Sequence, residues 1–504
     1  LNRIVFFIGL ISFSAFGQVI QTARFEIPVF NNEDEDISVL PWNTDGLLFY
    51  RIENQSKKDV LLYTKLDSAF HQQWTGTIDI SKSLSLVYSK AHGKRAYFLF
   101  KPKAFFGDFQ LLAISADTTI NVVYTIKNII PFSPIMFEVG NNTIVIAGYY
   151  NYRPVAIHFS LITGQSKLLP GFFNDPGEIN QLIINPDETI DVVLNIKNRD
   201  QKKSISVMNF SADGNSIKNT IINPQPDKSL IFGRIVRATN DSTVIAGVYG
   251  KNSELSRGVF MGIVNTVGEY TIRYYNFADL KNFFKYLRVA RQDRIKERIQ
   301  RKKIKGKKIK FNYRIALHEF IPYESNLLLI GEAFYPVYKS TSSFYPTQSI
   351  PVYYRGYFTP ISRQRDYTFD GYHYTHAVVL GIKKDGHLLW DNSFEIKDVK
   401  SFNLEQYAHA IQGKNLNLVY SFGGKLYSKV IRGTEVIEGK TEDKMKGNFA
   451  TDKIVKHSTA KDKLEYWYGK FLLSYGVQEL RNTETINVPL NRKVFFINKI
   501  TFRD

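Results

Sequence analysis

The chain has 504 residues and a formal charge of +19, from 66 Lys or Arg against 47 Asp or Glu, with 14% aromatic residues and no cysteine. The lack of cysteine excludes a disulfide framework, thiolate metal centres and thiol catalysis, and argues against the usual bacterial lipid anchor. Its 38 Phe and 30 Tyr lean towards β structure, and beyond its first residues no uninterrupted apolar run reaches the ~18 residues needed to cross a bilayer, so a water-soluble chain is expected.

In chain order the first element is "LNRIVFFIGLISFSAFGQ". Arg3 supplies a basic start, Ile4 to Phe13 an apolar run, and Ala15 and Gly17 the small residues of a cleavage site, so residues 1–17 are expected to be a secretory signal. That places the protein outside the cytoplasm, in the periplasm or at the outer cell surface of a bacterium. Residues 18–504 are expected to form one domain. Its first strand, "ARFEIPVF" at 23, has no partner nearby in sequence.

A repeat follows. "NNTIVIAGYY" at 141, "NDSTVIAGVY" at 240 and "ESNLLLIGEAFY" at 324 each join a polar turn to an apolar strand. Weaker copies are "TDGLLFYRIE" at 44, "HGKRAYFLFK" at 92, "PDETIDVVLN" at 186, "GKNLNLVYSF" at 413 and "AKDKLEYWYG" at 460. Glycine-bearing turns such as "LITGQ", "SADGN", "NTVGE", "KKDGH" and "IRGTE" come next in most units, and glycine accepts the positive φ of a tight hairpin. Four antiparallel strands recurring every ~45 to 50 residues describe the blades of a β-propeller. The fold class is therefore all-β: a single propeller of eight four-stranded blades, with seven blades plus a β appendage as the alternative. The last unit lacks an outer strand after "KVFFINKITF" at 493, and the N-terminal strand is expected to complete it and close the ring.

The turn-and-tryptophan pattern in "KKDGHLLWDNSF", and more faintly in "LDSAFHQQWTG", resembles the repeat of quinoprotein-type eight-bladed propellers. The resemblance implies similar blade geometry and carries over no cofactor residue.

Two insertions interrupt the repeat, at about 279–313 and 334–374, in units five and six. Residues 281–310 hold 14 Lys or Arg against Asp293 and Glu297, a local +12. The stretch predicts a helix from near Asp279 with Phe284, Leu287, Ile295 and Ile299 on one stripe, and disorder around Gly306. Arg291, Arg294, Arg298 and Arg301 are its candidate anion-binding residues. The second insertion holds nine Tyr and four Phe interrupted by Pro and Gly. Tyr335, Tyr338, Tyr345, Tyr353, Tyr354 and Tyr357, with Arg355 and His373, are its candidate contacts, because tyrosine combines a large apolar face with a polar tip. Strand parity sends both insertions to one rim.

Catalytic and metal motifs are not sustained. His318-Glu319 opens like a zinc-protease helix, but Pro322 stands where the second histidine belongs. His373 and His376, by simple alternation, would face opposite sides of a strand. Glu332 replaces Tyr149 and Val248 of the matching units, and is expected to hold a ligand, to act as a base beside His373, or to pair with Arg355 or Arg363. No cofactor and no metal are expected. The expected function is a non-catalytic binding or scaffold propeller, with a carbohydrate-active hydrolase or lyase as the alternative. Its partner is expected to be an envelope protein or an acidic glycan such as lipopolysaccharide, with peripheral contact to an anionic membrane surface also compatible with the charge. Nucleic acid suits the charge but not the compartment.

Overall fold

Blade five shows how one repeat folds. Ser229–Thr239, Ser242–Gly250, Ser256–Asn265 and Tyr270–Asn276 pair in that order as an antiparallel sheet. The Ala-Gly ending of the repeat has a packing cause. A Cβ on Gly247 would meet the Phe232 carbonyl oxygen at 2.1 Å, and one on Gly148 would meet that of Ser133 at 2.1 Å. Only glycine lets the second strand approach the first so closely. The tight turns use glycine differently, at positive φ: Gly214 at 70° and Gly386 at 77°.

The computed structural model describes residues 19–30, 36–104, 106–117, 120–172, 176–198, 202–239, 241–251, 255–340, 367–459, 461–485 and 488–503. Eight such sheets form the chain, which is an eight-bladed β-propeller. The alternative of seven blades plus an appendage is set aside. The expected signal at residues 1–17 lies outside the described residues.

First strands of blades one to six adjoin one another in order, so they line the central channel. The core is divided into eight apolar clusters, each shared by two neighbouring blades. Stability therefore depends on a closed ring, since an open one would expose two blade faces. Tryptophans help to lock it: Trp74 Nε1 donates to the Ala116 carbonyl of the next blade at 3.2 Å, and Trp467 Nε1 to Gly46 of blade one at 2.7 Å.

The closing strand is the expected one. Val19–Pro28 pairs antiparallel with Asn491–Phe502, from Val19 opposite Phe502 to Pro28 opposite Val494. One repeat copy is out of phase. "AKDKLEYWYG" is not a second strand: its Lys463–Tyr468, with Lys453–His457, makes the inner strand of blade eight, and Phe471–Arg481 is the second. The N-terminal strand counts as the missing fourth.

Candidate functional site

Both insertions belong to the sector of blades five and six. One links the outer strand of blade five to Arg314–Tyr323, the inner strand of blade six; the other lies between Asn326–Ser340 and Tyr367–Ile382, the second and third strands of blade six. Antiparallel alternation brings both connections out on one rim. Their bases touch: the Tyr286 ring stacks on His376 at 3.6 Å, and Phe283 and Tyr313 meet the same imidazole edge-on at 5.1 and 5.8 Å. Burial among these rings pushes the His376 pKa down to about 3, so it is neutral at physiological pH.

The basic insertion starts as an apolar plug rather than a helix. Phe277, Leu280 and Phe283 are buried between blades five and six. Buried Asp391, on the outer strand of blade six, accepts the Lys281 and Asn282 backbone N–H groups at 2.9 and 2.7 Å. Burial raises the pKa of this carboxyl and those two bonds oppose the rise.

The helix spans Val289–Ile304, ten residues later than expected, because Phe284 and Leu287 belong to the plug and its turns. None of its residues is buried. Nor is its end disordered: Gly306, at φ 58°, closes a Schellman motif in which Lys307 N donates to Lys302 O at 2.9 Å and Gly306 N to Lys303 O at 3.1 Å. Arg291, Arg294, Arg298 and Arg301 are all exposed and stand at i, i+3, i+7 and i+10, a row ~15 Å long on one face. Arg298 lies over the Phe311 ring at 5.6 Å, and Arg301 reaches Glu297 at 4.0 Å. Arg291 and Arg294 have no carboxylate partner among the described residues.

The aromatic insertion begins as strand, not loop. The two blade-six strands run on past the sheet as a two-stranded arm, with Phe334 opposite Tyr374 and Lys339 opposite Thr368. Tyr335, 47% exposed, stacks on His373 at 5.1 Å, and Tyr338, 40% exposed, meets Phe369 edge-on at 5.8 Å. Tyr345, Tyr353, Tyr354, Arg355 and Tyr357 lie outside the described residues. A register shift at Thr375 reverses the alternation, so His373 and His376 share the face toward blade five instead of opposing each other. They hold no metal cluster among the described residues.

Glu332 departs most from expectation. It is fully buried and faces blade seven, away from His373. Its Oε1 accepts the backbone N–H groups of Tyr407 and Ala408 at 3.0 and 2.6 Å, and its Oε2 lies 2.8 Å from His318 Nε2. Its described partners are this imidazole and two amides; Arg355 and Arg363 lie outside the described residues. His318 stands two residues beyond Ala316, the cross-strand partner of Glu332, so alternation puts both on the blade-seven face; a bulge then leaves His318 and Glu319 together opposite Ile330, between the Leu317–Gly331 and Phe320–Leu329 pairs. His318 turns towards Glu332. Glu319 turns to Arg234, at 2.6 Å, and Gln181.

Both line a channel cavity of about 910 Å3 with His409, Glu405, Lys463 and Glu465. Desolvation, with the neighbouring His318, lowers the His409 pKa to about 4. Two of its acids have cations within the lining, Glu405 with Lys463 and Glu319 with Arg234, and Glu465 accepts the Tyr475 hydroxyl at 2.9 Å. Sequence reasoning missed this cluster. Two adjacent polar residues within the apolar strand "IALHEFIPY" were its only local signal.

No protein-family model matches the chain. No curated protein matches it either. Among solved structures it is similar to the quinohemoprotein alcohol dehydrogenase of Comamonas testosteroni, at 12% identity and a TM-score of 0.43 over 92% of this chain and 77% of that one. It is similar also to the polysaccharide lyase Uly1, at 9% identity and 0.41 over 82% and 89%. Prolyl endopeptidase shows 9% identity and 0.39, over 89% of this chain and 55% of that one. These are weak likenesses.

Proposed function

We propose that the protein is an exported binding propeller of the bacterial cell envelope, which docks an acidic glycan or envelope protein on the decorated rim of blades five and six. One observation carries the reading: a 16-residue cationic helix that fully buries none of its residues, yet is capped at its C-terminal end and anchored at both ends by the plug and the return segment. Ile295 and Ile299 are only partly buried, so apolar burial stabilises it weakly, and its like charges repel one another. An acidic partner supplies the missing favourable term. Export and envelope location rest on the N-terminal sequence alone. The reading is supported further by the half-exposed Tyr335 and Tyr338 on the neighbouring arm, suited to short-range contact once charge has drawn a partner in.

The test is a titration of the protein with a soluble acidic polysaccharide, and with anionic vesicles in parallel, across a range of salt concentrations. Saturable binding that weakens with salt is expected, with slower association and a flatter salt dependence after replacing Arg291, Arg294, Arg298 and Arg301 with Gln. Equal binding by this variant would overturn the role of the helix.

A second reading, a carbohydrate-active hydrolase or lyase, is favoured by the channel, where His318, Glu319, Glu405, Glu465 and His409 gather, with Glu332 behind His318. It ranks lower because Glu319, Glu405 and Glu332 are already engaged by Arg234, Lys463 and His318. Turnover of any polysaccharide that is lost in His318→Gln but kept in the four-arginine variant would promote it.

A further inference from the structure

The return of the basic insertion builds a cavity that the helix does not share. Lys308, Ile309 and Lys310 close a space of about 520 Å3 against Pro226, Asp227 and Lys228, the link from blade four, and against Tyr249, Gly250, Lys251, Arg257 and Asn276 of blade five. Five of these residues are cations. Asp227 is the only acid among the described lining residues, and its carboxylate is 4.0 Å from Lys308.

This crowding is held in place rather than relaxed. The Schellman turn at Gly306 fixes the start of the return segment. Its end is pinned by Tyr313, which exchanges backbone bonds of 2.8 and 3.0 Å with Ser256 and accepts a third at 2.8 Å from the Ser256 hydroxyl. On the opposite wall Lys228 donates to Gln225 Oε1 at 2.8 Å, with its ammonium 4.5 Å from the centre of the Tyr274 ring. Phe277 N donates to the Arg257 carbonyl at 3.1 Å, fixing the backbone that carries Arg257. Free surface lysines spread apart to lower their repulsion; here the backbone anchors draw them around one space.

We propose that this cavity is a seat for a phosphate group carrying two or more negative charges, a phosphomonoester or a pyrophosphate. The inference rests on the docking reading in taking the partner to be acidic, and it names the chemistry of the anion. A net +4 lining suits a multiply charged anion better than a lone carboxylate. Four ammonium groups act as point charges on phosphate oxygens and the Arg257 guanidinium offers a planar fork. The volume lies within the ~300 to 1,000 Å3 of small-molecule sites, room for a sugar phosphate.

Calorimetric titration of the full chain with inorganic pyrophosphate, with a sugar 1-phosphate and with acetate tests it. One saturable site for pyrophosphate or the sugar phosphate is expected, with none for acetate. Arg257→Gln with Lys310→Gln should weaken it at least tenfold without moving the melting temperature; should that pair misfold, Lys228→Gln with Lys251→Gln serves. The variant with Gln at Arg291, Arg294, Arg298 and Arg301 should bind pyrophosphate as the parent does, because so short an anion does not need the helix. Tighter binding of the sugar phosphate assigns a glycan-borne group, and tighter binding of pyrophosphate a free oligophosphate. Absence of saturable phosphate binding, equal binding by both pocket variants, or loss only in the helix variant would overturn the seat and leave docking on the helix standing.

Discussion

The guanidinium of Arg492 lies 3.4 Å from the carboxylate of Glu26, although 466 positions separate them in the chain. Arg492 also binds Asp452 at 2.5 Å, and Arg24 binds Glu26 at 2.6 Å and Gln478 at 2.9 Å. The ring is thus closed by a buried polar network as well as by strand pairing. Deleting residues 18–31 removes the outer strand, takes Glu26 from Arg492, which keeps only Asp452, and takes Arg24 from Gln478 and Asn498. Thermal unfolding should begin several degrees lower, for a loss on the order of a few kcal/mol. An unchanged melting curve would mean that blade eight holds without its fourth strand.

Acid should destabilise the fold in two separate windows. Burial holds the His376 pKa at about 3 against 6.5 in the unfolded chain, so the unfolded state binds the extra proton first. Its stabilising contribution is complete above pH 6.5 and falls as pH drops towards 3, by about 2 kcal/mol at pH 5. His376→Phe keeps a ring against Tyr286 and should remove about half of the fall in denaturant-measured stability between pH 7 and 5, the rest belonging mainly to His409, held at about 4. Asp452 acts lower: burial alone would raise its carboxyl, but Arg492, Asn482 and the Phe449 N–H together hold it below 3.8. Its contribution is present above that value and is lost as pH falls further.

Glu332→Ala should be strongly destabilising. It strands the N–H groups of Tyr407 and Ala408 and the His318 imidazole in the seam between blades six and seven, a loss on the order of 3 to 5 kcal/mol for three buried polar groups left without a partner. Glu332→Gln retains an acceptor for the amides and should lose only about 1 to 2 kcal/mol. Chemical denaturation of the two variants side by side checks the order.

Asp391→Ala should loosen the plug beneath the basic helix, since two insertion N–H groups lose their acceptor. Amide hydrogen exchange at residues 279–287 should accelerate while protection of the blade cores stays unchanged.

Tyr335→Ala with Tyr338→Ala should raise the dissociation rate of a docked partner several-fold, with association and its salt dependence nearly unaltered. The same change in both rates would mean that the arm steers encounter rather than retaining the partner.

Strand order, blade number and closure by the N-terminal strand were all legible in the chain, because alternation and glycine turns are local and antiparallel neighbours need no long-range information. The row Arg291, Arg294, Arg298 and Arg301 was legible for the same reason, being set by helical spacing. The partners of Glu332 were not. They include the Tyr407 and Ala408 amides, which the approach to blade seven brings back from some 75 residues along the chain. The shared face of His373 and His376 was not legible either, because it depends on a register shift at Thr375 that leaves hardly any trace in sequence. Nor could the chain alone show that Asp391 anchors the plug, or that Lys308 and Lys310 return to blade five beside Lys228, Lys251 and Arg257. Those groups are brought together by the closing of the ring, and only the tertiary structure decides which charges it confines to one space.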